Sequence, residues 1–310
     1  MSSDYSQGEF AFIDWLRRRT PTAARVRVGP GDDTAVVDWS TSHPLLITTD
    51  MLLEGSCFLL EQAGPRRVGR KAMAVNLSDV AAMAGIPVAA VVSVGLPRQG
   101  GRALAEELYL GLREMADAFD TAIVGGDTNS WDGPLVINVA LLGEATAHGP
   151  VRRKGAKLGD WLLTTGSFGG SIRGKHLDFT PRVREALQLH EAAPLHAMID
   201  VSDGLAADVW HLCEESDCGA VLHAGSIPIA PAVEGIQDGQ SPLDHALGDG
   251  EDFELVFAVA PEDGQRLLEQ QPVPGVTLAR IGECVEQGLW LEEMGHRRPL
   301  EPRGYVHRLE

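Results

Sequence analysis

Apolar residues recur at helical spacing over Glu9–Arg19, where Phe10, Ile13 and Leu16 share a face, and the pattern stops before Pro21. Runs of leucine and β-branched residues of strand length follow at Thr34–Asp38, Leu45–Asp50, Val88–Leu96 and Leu135–Leu142. Between them lie two longer helical stretches, Arg66–Ala84 and Arg102–Phe119. A short strand, Ala122–Val124, runs into Gly125-Gly126-Asp127. The second half predicts strand Trp161–Thr165, a glycine-rich loop, helix Arg182–Ala192, strand Ala197–Val201 and helix Leu205–Glu215. Strands Ala220–His223 and Phe253–Ala260, helix Glu262–Gln270 and strand Thr277–Ile281 follow. A break falls near Gly149-Pro150, so the pattern predicts two α/β domains of similar size, 1–149 and 150–310, rather than one barrel.

Composition fits that division. At 310 residues and 44% apolar content the chain has enough core for two domains. No window approaches the ~18 uninterrupted apolar residues of a membrane span, and the polar stretch Met1–Glu9 lacks a signal pattern, so the cytoplasm is expected and no membrane partner. Cys57, Cys213, Cys218 and Cys284 form no C-x-x-C pair and have no histidines at zinc spacing, which predicts free, mostly buried thiols. A net charge of −18 argues against nucleic-acid binding, and the cluster Arg152-Arg153-Lys154 is too short to change that.

Much of the candidate chemistry is acidic. Aspartates stand among glycine, serine and threonine at Gly31-Asp32-Asp33, Thr48-Thr49-Asp50, Asp79, Gly125-Gly126-Asp127-Thr128 and Asp200-Val201-Ser202-Asp203-Gly204. Carboxylates in that setting suit hard divalent cations held against a polyphosphate. Asp50 continues into Met51-Leu52-Leu53, and Asp79 lies in an almost wholly small or apolar helix beside Asn76 on one face. A buried carboxylate costs several kcal/mol unless a cation or donor meets it, on the order of any uncompensated ion. Gly31-Asp32-Asp33 also suits a plain turn, and Ser202 or Asp203 a helix N-cap. Gly169 to Lys175 imitates half a P-loop, but His176 stands where the magnesium-holding Ser or Thr belongs, so that signature fails.

In this order the motifs resemble thiamine-monophosphate kinase, of the superfamily named for aminoimidazole ribonucleotide synthetase. The resemblance runs from Gly8-Glu9-Phe10 to Gly304-Tyr305, and the stretch Lys71–Met83 is its most specific part. It implies a two-domain α/β (α+β) fold, with an N-terminal mixed sheet and helices for ATP, magnesium and dimerisation, and a C-terminal α/β domain. It implies transfer of the γ-phosphoryl group of ATP to thiamine monophosphate in a homodimer formed through the N-terminal sheets. By resemblance Asp33, Thr48, Thr49, Asp50, Asp79, Asp127, Asp200 and Asp203 would hold several Mg2+ ions. Tyr109, Gly126, Asp127, Arg153 and Ser202 would contact ATP, and Cys57, Glu251 and Pro302 fall at substrate positions. At two of these the family carries a histidine (here Cys57) and a tryptophan (here Pro302), and its G-G-E-D reads Gly248-Asp249-Gly250-Glu251.

The chemistry agrees. A phosphate monoester with a second pKa of about 6 is already an unprotonated nucleophile at neutral pH, so no general base is expected. What remains is to align two anions and stabilise spread charge. Two other readings fit the acids: an ATP-dependent synthetase of the same superfamily, and a non-catalytic paralogue that binds magnesium and nucleotide.

Overall fold

The computed structural model describes residues 9–21, 23–29, 34–39 and 42–305. The chain divides into two compact units, Met1–Val80 with Ile86–Ala147, and Ala81–Gly85 with His148–Glu310. The segment Ala81–Gly85 joins the second unit through contacts that no local periodicity marks; the Val151 N–H, for instance, donates to the Met83 carbonyl at 3.1 Å.

The first unit contains α1 (Glu9–Arg19), β1 (Val26–Val28), β2 (Val36–Val37), β3 (Leu45–Leu53), α2 (Leu60–Ala63) and α3 (Pro65–Ala82). It continues with β4 (Gly85–Pro97), α4 (Gly101–Ala118), β5 (Ala122–Trp131) and β6 (Val136–Ala145). Four strands form one sheet in the order β3-β6-β4-β5, and β1 pairs with β2 in a separate ribbon. Small residues let α3 and α4 approach backbone to backbone. A Cβ on Gly111 would stand 1.8 Å from the Arg66 carbonyl oxygen, and one on Gly69 2.1 Å from that of Leu108. That contact fixes the helix that carries Asn76 and Asp79.

Two strands outrun their sequence signal. β3 continues to Leu53, because all nine of its residues pair with β6. β5 does not stop at Val124. The ladder with β4 resumes after a bulge, Ala90↔Ile123 then Val91↔Gly125, and runs in parallel to Pro97↔Trp131. Pairing across the sheet overrides the turn preference of Gly125-Gly126.

The second unit holds β7 (Trp161–Thr165), α5 (Lys175–Asp178), α6 (Val183–Ala192), β8 (Ala197–Asp200), α7 (Leu205–Glu215) and β9 (Gly219–His223). After these come α8 (Pro242–Gly248), β10 (Leu255–Val259), α9 (Pro261–Gln270), β11 (Leu278–Val285), β12 (Leu289–Glu293) and β13 (His296–Pro299). Its seven-stranded sheet runs β13-β12-β9-β11-β7-β10-β8, antiparallel at every junction except β12 with β9. β8 and β10 are buried throughout, which is why they read as continuous apolar runs rather than alternations. Sequence periodicity does not predict α8, β12 or β13. α8 is nevertheless signposted by a capping box, in which the Ser241 hydroxyl accepts the Asp244 N–H and the Asp244 carboxylate accepts the Ser241 N–H. Among the described residues no helix is long and apolar enough to cross a membrane.

Candidate active site

In the first unit, strand alternation decides which of the T-T-D side chains face α3. Thr48 and Asp50 are half-buried on the helix side, whereas Thr49 belongs to the opposite, exposed row with Ile47 and Met51. The Thr48 hydroxyl donates to the Asp79 carboxylate, and the Asp50 N–H donates to the Asn76 side-chain oxygen at 3.1 Å. Asn76 is fully buried and held in turn by its amide donating to the Ala72 carbonyl at 3.0 Å. Thr48, Asp50, Asn76 and Asp79 therefore meet at one strand–helix junction. Thr49 does not join them. Its hydroxyl donates to the Val139 carbonyl of β6 at 3.0 Å, because a period of two sends neighbours to opposite faces. Gly31, Asp32 and Asp33 lie outside the described residues.

A second cluster lies along β5. A cleft of about 1050 Å3 opens beside it, lined by Phe12, Leu16, Val92, Tyr109, Gly126 and Asp127 among others. Tyr109 is buried, set edge-on to Trp15 at 5.6 Å, and its hydroxyl lies 2.6 Å from that of Thr20. Burial pushes its phenol pKa above the ordinary value, so it stays protonated. Asp127 is exposed on the strand, not on a loop after it. Gly126 pairs with Val92 of β4. A Cβ there would stand 1.8 Å from the Val92 carbonyl oxygen, so the close approach Gly126 permits is that of β4.

In the second unit the pairing of β8 with β10 brings two motifs together. Leu255 sits opposite Asp200, the Val201 N–H donates to Glu254, and the Phe253 N–H donates to Val201. The ladder ends with the Glu251 N–H donating to the Ser202 carbonyl at 2.7 Å. Glu251 and Phe253 both hold left-handed backbone, φ 53° and 51°, a costly conformation for non-glycine residues that recurs at functional sites. The Tyr305 N–H donates to the Asp203 carbonyl at 2.9 Å, and Pro302 is exposed three residues earlier.

Neither Ser202 nor Asp203 caps α7. Asp208, inside the helix, accepts the N–H groups of Asp203 at 3.0 Å and Gly204 at 3.1 Å. Burial, then the charges of Asp200 and Asp203, push the Asp208 carboxyl up to about 8. Oxygens of Asp203 and Asp208 and a ring nitrogen of His211 lie within 4.8 Å of one another. Carboxylates crowded enough to push up the Asp208 pKa suit a divalent cation, which would relieve the repulsion. Sequence reasoning misses Asp208 and His211; the signal is an acid one turn into an otherwise apolar helix, D-G-L-A-A-D.

The loop after β7 is tied down by ions rather than open to phosphate. Lys175 donates to the Ser167 carbonyl at 2.9 Å and to Glu254 at 3.1 Å, and Arg182 grips the same buried Glu254 at 2.7 and 2.9 Å. Asp252 accepts the Gly169 N–H at 3.0 Å. His176 lies 3.2 Å from Glu251. Asp249, the extra acid beside Glu251, accepts the Gly170 N–H at 2.7 Å and pairs with His245 at 3.0 Å, so its charge is engaged within the loop. Arg153 is exposed, and its carbonyl accepts the Ser216 hydroxyl at 2.9 Å. In the first unit, the Cys57 sulfur accepts the Leu53 N–H at 3.5 Å and its carbonyl takes a 2.8 Å bond from the fully buried Lys71.

Comparison with known proteins covers both units. Residues 31–145 match the AIR synthase related protein, N-terminal domain, and residues 139–289 the corresponding C-terminal domain. Thiamine-monophosphate kinase of Rhodopirellula baltica is 41% identical over 310 residues, 96% of this chain and 97% of that protein. The crystal structure of thiamine-monophosphate kinase from Stenotrophomonas maltophilia K279a superposes with a TM-score of 0.81 at 32% identity, covering 92% of this chain and 96% of that one. AaThiL complexed with AMPPCP and TMP superposes with a TM-score of 0.76 at 29% identity over 99% of both chains.

Proposed function

The chain belongs to the thiamine-monophosphate kinase family, and from that premise we propose how its own residues carry the reaction. The protein phosphorylates thiamine monophosphate with ATP as co-substrate, giving thiamine diphosphate and ADP. The observation that carries this reading is full-length likeness to kinases of that name, one of them held with an ATP analogue and TMP.

A phosphate oxygen of the acceptor attacks the γ-phosphorus in line as the bond to the β,γ-bridging oxygen breaks. The acceptor arrives deprotonated, so no side chain takes a proton. The chain's task is positioning and charge. Thr48, Asp50 and Asp79 at the β3–α3 junction would serve as one group of oxygen ligands, with Asp33 and, on β5, Asp127 as further proposed ligands; the Thr49 side chain faces away, which leaves its main chain for that role. Asp200 and Asp203, with Asp208 added from the structure, form the second. Both sets are hard oxygen donors that fit Mg2+, and Asp208's raised pKa supports a cation beside it. Bound there, magnesium would neutralise phosphate charge and stabilise the transition state.

Tyr109, Gly126 and Asp127 line the β5 cleft, which supports a nucleotide site in the first unit, residues 1–149 by the sequence division. Arg153 and Ser202, in the sequence division 150–310, are the other proposed ATP contacts. Glu251, strained and paired with His176, with Pro302 and Cys57, would face the acceptor. A second copy of the chain is the proposed partner of the uncovered β3 face. There Leu45, Ile47, Met51 and Leu53 stay exposed, an apolar row typical of an interface. The cytoplasm is the proposed location, where ATP is made and the four unbridged cysteines stay reduced.

The test is ADP release, coupled to a reporter, with and without thiamine monophosphate. ADP forming only with the acceptor is expected. Asp50→Asn and Asp79→Asn should each lower turnover by about 10²-fold or more, the scale of losing one charge-stabilising group, with unchanged circular dichroism. Turnover near wild type in a variant removes that residue from the site, and ADP release indifferent to the acceptor refutes the kinase reading.

A further inference from the structure

The three cysteines of the second unit, scattered at 213, 218 and 284, meet at the C-terminal end of α7. Cys218 packs against the core cluster that holds both Cys213 and Cys284. Cys213 and Cys284 are buried in the core, whereas Cys218 is half-buried against it, next to exposed Asp217. A half-buried thiol with two others in the core behind it is an arrangement that oxidation can use.

Backbone geometry singles out one pair. α7 ends in a Schellman motif: the Cys218 N–H donates to the Cys213 carbonyl at 3.1 Å, and the Asp217 N–H to that of Glu214 at 3.3 Å. Asp217 holds the left-handed conformation the motif requires, φ 54°. Cys213 and Cys218 occupy the two positions whose side chains ordinarily touch across such a motif. The hydrogen bond that closes the turn keeps the two backbones close, as a disulfide demands. Cys284 is less well placed, since in the β11–β9 register it lies opposite Ala220, two residues beyond Cys218.

A metal site fits less well. Among the described residues the three sulfurs do not all lie within 4.8 Å of one another, as ligands of one ion would.

We propose that Cys218 is a peroxide-oxidisable site that closes a reversible disulfide onto Cys213. The sulfur of Cys218 attacks a peroxide oxygen, the O–O bond breaks, and sulfenic acid and water form. The sulfur of Cys213 then displaces the hydroxyl, which leaves as a second water. Overall, two thiols and one hydrogen peroxide give one disulfide and two waters. Hydrogen bonds from the Cys213 and Cys284 thiols lower the Cys218 pKa and favour the reacting thiolate, while those same bonds and burial raise the other two. The turn that would be cross-linked also holds Arg153. The Ser216 hydroxyl, inside the motif, donates to the Arg153 carbonyl at 2.9 Å and accepts the N–H groups of Gly155 and Ala156.

The test treats reduced full-length protein with hydrogen peroxide, alkylates the remaining thiols under denaturing conditions, and maps peptides by mass. A Cys213–Cys218 linkage that dithiothreitol reverses is expected as the main product. Cys218→Ser should abolish it, and Cys213→Ala should leave Cys218 trapped by a sulfenic-acid probe. A linkage chiefly to Cys284, or oxidation confined to Cys57 in the wild-type chain, overturns the proposal without needing any variant to fold.

Discussion

Alanine at Gly126 should injure the fold before it injures nucleotide binding. Its Cβ would stand 1.8 Å from the Val92 oxygen and 2.8 Å from the carbonyl carbon, where real Cβ contacts begin at about 3.0 Å. β5 must then move by at least ~1.2 Å against β4, the difference between those distances. β5 is a sheet edge, so it can yield outward, but only by weakening the ladder around Val92↔Gly126. Overpacking of about 1–3 kcal/mol, with one or two weakened ladder bonds of about 1 kcal/mol each, gives a loss of about 2–4 kcal/mol. For a unit of this size that lowers Tm by about 5–15 °C. Gly125→Ala is the internal control, since its Cβ meets only Val91 Cγ1 at 3.9 Å, an ordinary contact. The assay is thermal unfolding of both variants by circular dichroism, with KM for ATP measured at a temperature where each is folded. A Gly126→Ala protein that melts like wild type while KM for ATP rises would refute the strand argument and leave the glycine's part with the nucleotide.

Glu254→Gln should cost about 3–5 kcal/mol, because it strips the shared counter-charge from Lys175 and Arg182 in a buried network. Denaturant unfolding reads this, and a loss below about 1 kcal/mol would count against it. Asp252 supplies a pH signature. Burial lifts its carboxyl to about 6, with the Lys175 charge pulling back, so the folded chain keeps a proton the unfolded chain has released. Its contribution therefore falls as pH rises from about 4 to about 6, by about 3 kcal/mol. Asp252→Asn should remove that slope, and a wild-type-to-variant difference that stays constant between pH 4.5 and 7 would contradict the assignment.

Elements that carry their own boundary chemistry are legible in the sequence alone. α1 and α7 start and stop where periodicity says, although α7 lacks the N-cap expected of Ser202 or Asp203, and β7 does so from its apolar run. β5 is longer than its local pattern because its signal is nonlocal: Gly125-Gly126 resembles a turn until a neighbouring strand supplies the pairing. The acidic motifs are recognisable as motifs, and Thr48, Asp50 and Asp79 do meet; yet the T-T-D motif groups Thr49 with them although alternation alone sends its side chain away. Asp208 escapes sequence reasoning because one acid in a helix is commonplace until its burial and two amide partners are seen. The thiol cluster escapes for a like reason, since spacing rules catch cysteines close in sequence and these converge through β11. The meaning of Asp249 also changes, from a surplus charge beside Glu251 to a clasp between Gly170 and His245.

Because Asp208 secures the main chain ahead of α7 from within, the helix needs no capping side chain from Ser202 or Asp203. In the ligand roles proposed for them, both side chains would change companions without unwinding it. An enzyme that must grip a highly charged tail and then let go of a shorter one gains a hand that opens while the wrist stays rigid.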